Sequence, residues 1–209
     1  MVNKAYKSSI IRKYGTNVEL HKYTKDVLTE VLKVKAVLGR NTRNNVNMFK
    51  LSHQREGIFL PETPVDTGDY VYNKNHSECY LIVGRHQEYD MDSTLSIVTG
   101  MMICEHSLTI KGIKKVADAR GNIKNEPYEK YKNIPCYLEF VGSNLRQHEP
   151  GLNPETEYKL YVTDIELLEN ETVNLKGRMF DNNYKILTID YVTFPGLAVL
   201  EIKRDVVTK

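Results

Sequence analysis

The chain has no tryptophan, three cysteines, and few of the residues that mark unfolded or repetitive sequence: 12 glycines and 7 prolines in 209 residues. That density of Gly and Pro excludes a low-complexity or collagen-like chain. Cys79, Cys104 and Cys136 are an odd, sparse set, which argues against a disulfide framework and for reduced thiols. No stretch approaches the roughly 20 consecutive apolar residues of a membrane helix; Val192 to Leu200 is interrupted by Thr193, Pro195 and Gly196. The start, Met1-Val-Asn-Lys, lacks the apolar core of a secretory signal, so assembly in the cytoplasm without a membrane is the expectation. Net charge is only +2, against a general nucleic-acid coat or an acidic tail.

Catalytic signatures are missing too. There is no G-x-x-x-x-G-K-[ST], no G-x-G-x-x-G, no G-x-S-x-G and no H-E-x-x-H. The expectation is a protein that is not an enzyme and carries no cofactor. His76-x-x-Cys79 and Cys104-x-His106 together form a two-Cys, two-His set, but this spacing is not that of a zinc finger. Small buried cysteines beside solvated histidines, with no metal, is the preferred reading.

What is abundant is tyrosine, 14 against 5 phenylalanines, a residue favoured in strands and at wet contact surfaces. The segment Asn3 to Tyr14, followed by Gly15, predicts a short amphipathic helix. In Val31 to Leu38, Lys33 and Lys35 alternate with Leu32, Val34 and Ala36, the pattern of a strand with one charged face. Asp69–Tyr72 and Cys79–Val83 around an Asn/Ser/Lys turn predict a hairpin. Met101–Ile110 reads as one further strand, and Cys136–Val141, Tyr158–Val162, Tyr184–Ile189 and Leu197–Ile202 as four more. Strands at this spacing without intervening helices predict a mainly β protein: antiparallel barrel or sandwich units with long loops and a short N-terminal helix. The expected organisation is an N-terminal β unit over 1–112, an exposed arm or linker over 113–135, and a C-terminal barrel-like unit over 136–209. Val65 to Val83 echoes Val173 to Leu187 (Gly turn, short strand, Asn turn, aromatic-led strand), which suggests that the halves are related.

Charge is segregated along the chain. From Val31 to Arg55 there is no acid, while Lys33, Lys35, Arg40, Arg43, Lys50 and Arg55 all fall there. Arg40, Arg43, Lys50 and Arg55 are therefore candidates to face a phosphate backbone, with the 39–45 loop as the focus. From Glu149 to Glu171 seven acids face one base, Lys159, making Glu155, Glu157, Asp164 and Glu166 candidates for a subunit or partner interface.

Three segments carry a resemblance. Ser9-Ile-Ile-Arg-Lys-Tyr-Gly15-Thr-Asn-Val-Glu-Leu20 resembles the short helix, Tyr-Gly turn and first strand of the head-tail connector (head-closure or neck) proteins of tailed bacteriophages. Asn133-Ile-Pro-Cys-Tyr-Leu138 is similar to their strand entering a second barrel. Leu175-Lys-Gly-Arg-Met-Phe180, then Tyr184 to Asp190 and Pro195-Gly-Leu197, is similar to their ending. The resemblance implies a structural virion protein of the neck: a β-barrel that forms a ring of six or twelve copies. Its expected partners are itself, a portal or adaptor protein, a tail terminator or tail protein, and the packaged double-stranded DNA in the channel. Two alternatives stand beside it. One is a tail-completion or tail-tube subunit; the other is an OB-like single-stranded nucleic-acid-binding module using Tyr70, Tyr72 and Tyr80 as stacking platforms.

Overall fold

The computed structural model describes residues 4–24, 27–40, 53–90, 93–117, 122–167, 171–177 and 181–205. They form two short helices and twelve strands in two closed six-stranded antiparallel barrels. The chain is thus mainly β, as the alternating patterns and the missing helical periodicity require.

A first helix, α1 (Lys4–Tyr14), ends where the Gly15 amide donates to the Ile11 carbonyl at 2.8 Å. The first barrel follows with β1 (Thr16–Thr24), β2 (Val27–Arg40), β3 (Gln54–Phe59), β4 (Tyr70–Asn73), β5 (Glu78–Asp90) and β6 (Ser93–Ile103). Period-two alternation builds its core. Val18 and Leu20 on β1, Ala36 on β2, Phe59 on β3, Val71 on β4, Tyr80 and Ile82 on β5, and Ile97 and Met101 on β6 are buried together, flanked by Leu32, Val34 and Leu38. Each buried Val, Leu, Ile, Phe or Met among them contributes roughly 1.5–3 kcal/mol by leaving water. Lys33 and Lys35 take the opposite parity to Leu32, Val34 and Ala36, so β2 keeps its charges off the core.

The second barrel consists of β7 (His106–Ala117), β8 (Ile123–Phe140), β9 (Tyr158–Thr163), β10 (Thr172–Lys176), β11 (Asp181–Asp190) and β12 (Leu197–Arg204), with a one-and-a-half-turn helix α2 (Ser143–His148) between β8 and β9. Around the first barrel the strands run β1-β2-β3-β6-β5-β4; around the second, β7-β8-β9-β12-β11-β10. The orders are the same, strand for strand. The expected echo between halves therefore has a topological basis, and Tyr80 and Tyr184 occupy equivalent places. Tyr80 pairs with Val71 and Tyr184 with Val173, and both tyrosines are buried. The glycines of the echo are not equivalent, because Gly68 precedes β4 whereas Gly177 follows β10.

Compact units do not follow the expected boundaries. One unit comprises Met1–Cys104 with Val162–Ile165 and Tyr191–Ala198; the other comprises Glu105–Tyr161, Glu166–Asp190 and Val199–Lys209. Met101–Ile110 is not one strand. It breaks at Cys104–Glu105, where the Cys104 amide donates to the Cys79 carbonyl at 2.8 Å and the chain leaves one sheet for the next. Of residues 113–135, expected as an exposed arm or linker, 113–117 belong to β7 and 123–135 to β8. Pro127 and Pro135 lie inside β8, and its pairing with β9 begins only at Tyr137. Proline is tolerated on such an open edge, where no ladder donor is missed. A bulge places Leu108 opposite Ile134 and Ile110 opposite Tyr131, with Asn133 in the left-handed region at φ 54°.

In the first unit, the turn before β4 is locked by backbone. Gly68 (φ 90°) and Gly196 (φ 87°) press against each other, so a Cβ on Gly68 would sit 2.1 Å from the Gly196 carbonyl oxygen. The Gly196 carbonyl also accepts the Asp164 amide at 3.1 Å, and the Tyr70 hydroxyl accepts the Thr163 amide at 3.3 Å.

Candidate functional site

The basic stretch forms a groove on the outer face of β1, β2 and the β4–β5 turn. Antiparallel register sets Lys33 opposite Glu19 and Lys35 opposite Asn17, while Tyr72 pairs with Glu19 from the other side. Lys33, Lys35, Lys74, Asn17 and Asn75 line a depression of about 560 Å³. Lys35 Nζ donates to the Arg12 carbonyl at 2.6 Å, anchored on the last turn of α1, where a cation suits the helix dipole. Lys74 Nζ lies 2.7 Å from Glu19. That hydrogen bond holds the Glu19 carboxyl below its ordinary range, ahead of the opposing effect of desolvation. The His21 ring packs on Tyr72 with centroids 4.2 Å apart. Lys33 is exposed. One carboxylate among three lysines leaves this wall cationic and lined with amides, a surface suited to loose phosphate contact rather than base reading.

Of the four basic candidates, Arg40 ends β2 with its backbone paired to Arg55; Arg43 and Lys50 lie outside the described residues. Arg55 is half-buried, with Nη1 donating to the Gln54 carbonyl at 2.9 Å. It stands beside the Tyr80 hydroxyl, which donates to Glu78. Burial and then Glu78 push the Tyr80 phenol up to about 12, and Arg55 opposes them. Arg55 thus closes a polar network around the Tyr80 hydroxyl.

The acidic candidates divide between the two units. Glu155 is exposed and pairs with Lys203 at 3.1 Å. Glu157 is half-buried, its amide donating to Ile202 and its carbonyl accepting from Val141. Glu166 is exposed; Asp164, also exposed, belongs to the first unit.

Sequence reading missed a buried polar cluster in the second unit. Register pairs Tyr137 with Tyr161 and Glu139 with Lys159 across β8 and β9. All four are buried. The Tyr161 hydroxyl donates to Glu139 at 3.2 Å, Lys159 Nζ lies 2.7 Å from Glu149, and the two tyrosine rings are 5.8 Å apart. Burial, reinforced by Glu139, raises both phenols, Tyr137 to about 12. Phenols held neutral in this way are hydrogen-bond donors, and the cluster ties the sheet together. Its only sequence signal was the matched alternation Tyr-x-Glu and Lys-x-Tyr in two strands.

The stacking platforms of the OB-like alternative are otherwise employed: Tyr70 and Tyr80 are buried, and Tyr72 lies under His21. Cys79 and Cys104 are half-buried, and Cys136 is buried. Among the described residues no group of three or more His, Cys, Asp or Glu side chains is placed to hold a metal ion. None of the helices in these residues is long and apolar enough to cross a membrane.

No family model matches the chain, and no curated protein matches it. A solved structure, that of the K. pneumonia MrkH–c-di-GMP complex, aligns over 98% of this chain and 87% of that chain, at 6% identity and a TM-score of 0.17. So low a TM-score carries no argument about fold or ligand.

Proposed function

We propose that the chain is a structural protein of the neck of a tailed-phage virion. It forms a ring that joins the portal or adaptor side of the DNA-filled head to the tail and helps retain the packaged DNA. The observation that carries this reading is the match between the first resembling segment and its elements. Ser9 to Leu20 is the end of a short helix, a Tyr-Gly turn and the first strand of a barrel, the arrangement that the resemblance to head-closure proteins implies. The cationic groove of β1, β2 and Lys74 supports it, because a channel wall needs weak, sequence-blind phosphate contacts that let DNA pass. Native mass and negative-stain imaging of the purified chain test the proposal. Rings of six or twelve copies, or labelling of the virion neck, are the expected result. A monomer that binds single-stranded DNA tightly overturns it.

A further inference from the structure

The β7–β8 hairpin is longer than the barrel that it belongs to. Pairing of β7 with β10 runs only from Ser107 to Lys111, and pairing of β8 with β9 only from Tyr137 to Phe140. Beyond Lys111, residues 112–117 pair only with 123–128 among the described residues. This is a two-stranded ribbon leaving the barrel. Such a ribbon is marginal in water on its own, yet it is stiffened at its base: Tyr128 lies across Gly112, where an added Cβ would come 2.7 Å from the ring, an aromatic covering a strand glycine.

Register sorts its two faces. Ala117/Ile123, Lys115/Asn125 and Lys111/Glu129 share one face; the other carries Val116/Lys124 and Gly112/Tyr128. Ile123 is 69% exposed and Tyr128 40%. Among the described residues of the second unit the exposed large apolar side chains are Ile123, Tyr128 and Phe140, and Ile123 stands on the Ala117 face of this arm. On the Ile123 face Lys111 and Lys115 outnumber Glu129, which pairs with Lys132. Apolar side chains inside a lysine rim are the makings of a docking surface, and its charge calls for an acidic partner.

We infer that the β7–β8 arm grips a second copy of this chain, laying the Ala117/Ile123 face on the acidic segment that carries Glu155 and Glu166. The complement is present in the same sequence, since residues 149–171 hold seven acids and one base. Glu155 and Glu166 are exposed, and the Glu155–Lys203 pair is solvent-exposed on both sides, so exchanging it for an arm lysine costs little. Contact of one surface patch with a different patch on the next copy is heterologous, and it closes into a ring where the rotation between copies closes. Pro127 and Pro135 deprive the β8 edge of donors, so the arm docks by its side-chain face and not by adding a strand along that edge.

The inference deepens the ring reading, and the test separates the two. Native mass is measured on the full chain, on a variant with Asn-Gly replacing 113–127 between Gly112 and Tyr128, and on Ile123→Glu. A further pair carries Lys111→Glu with Lys115→Glu, both on the Ile123 face, or Glu155→Lys with Glu166→Lys. The expected result is an oligomeric wild type and at least a tenfold weaker association of the arm-shortened and Ile123→Glu chains, with unchanged circular dichroism. The two charge-reversed chains are expected to associate only when mixed. Wild-type-like assembly of the arm-shortened chain overturns the arm and leaves the ring standing. Failure of the mixture to associate overturns the acidic partner. A wild type that stays monomeric at tens of micromolar overturns arm and ring together.

Discussion

Replacing Gly68 with alanine is the sharpest test of the fold. An L residue held in left-handed backbone costs about 1–2 kcal/mol, and Gly68 sits at φ 90°. The steric part adds to this. The new Cβ would lie 2.1 Å from the Gly196 carbonyl oxygen, well inside contact, and backbone cannot rotate away as a side-chain tip can. The segment around Gly196 must therefore move, disturbing the Asp164 amide on that carbonyl and the burial of Val65, Tyr70 and Leu197 beside it. The sum falls in the exceptional class of single substitutions, about 3–5 kcal/mol, or a fall of roughly 6–20 °C in Tm for a chain of this size. Gly84→Ala is the control: nothing lies within 4 Å of its Cβ and its φ is not positive, so its Tm should stay within a few degrees of the wild type. Gly196→Ala should resemble Gly68→Ala, and the double variant should cost clearly less than the two together, because one opened contact already accommodates the second methyl. Thermal and urea melts followed by circular dichroism provide the readout. If Gly68→Ala melts alongside Gly84→Ala, the backbone interlock is wrong.

Three further outcomes are expected. Burial raises Asp69 to about 6, only partly opposed by the Asp66 amide and by Lys22. The folded state thus holds this proton more tightly than the unfolded one, and stability falls, by at most about 3 kcal/mol, as pH rises from about 4 through 6; Asp69→Asn, which can still accept the Asp66 amide, should flatten that slope in melts between pH 4 and 7, and an unchanged slope refutes the assignment. Lys33→Glu with Lys74→Glu should weaken low-salt binding of double-stranded DNA several-fold, irrespective of sequence, and reduce the salt slope by about one for each phosphate no longer neutralised; equal binding by the variant in a salt-titrated anisotropy assay would remove the groove from consideration. Tyr161→Phe deprives the buried Glu139 of a donor and should cost about 1–3 kcal/mol in urea unfolding, whereas a neutral result would mean that Glu139 is satisfied without it.

Period-two alternation was the legible part of this molecule. Lys33 and Lys35 against Leu32, Val34 and Ala36 located β2 and its faces, and Tyr-Gly after a basic amphipathic run located α1 and β1. What stayed hidden depends on partners distant in sequence. Tyr70 and Tyr72 share one face of β4, yet Tyr70 is fully buried and Tyr72 only half so, because Thr163, ninety-three residues on, brings its amide to the Tyr70 hydroxyl. Met101 to Ile110 has unbroken strand propensity, and no local signal announces that the chain changes sheets at Cys104. Pro127 and Pro135 read as breakers, since their tolerance depends on β8 having an open edge, a property of topology. The Gly68–Gly196 contact joins two ordinary-looking turn glycines that only the folded chain brings together.

The duplicated strand order gives the charge segregation a structural meaning that composition alone could not supply. Since β2 and β3 of the first barrel correspond to β8 and β9 of the second, the chain between β2 and β3 is the counterpart of the chain between β8 and β9. The first of these connections, 41–53, contains Arg43 and Lys50 and no acid; the second, 141–157, contains Glu149, Glu155 and Glu157 against one base, Arg146. One connection of one barrel plan has thus been elaborated with opposite signs in its two copies. A net charge of +2 conceals this, because the two elaborations nearly cancel. Two identical basic connections would repel copies stacked head to tail, while opposite ones give each copy a cationic and an anionic segment from a single architecture. Screening over about 8 Å at physiological salt confines such attraction to close approach. In the proposed ring, charge selects the register and apolar contacts such as Ile123 hold it.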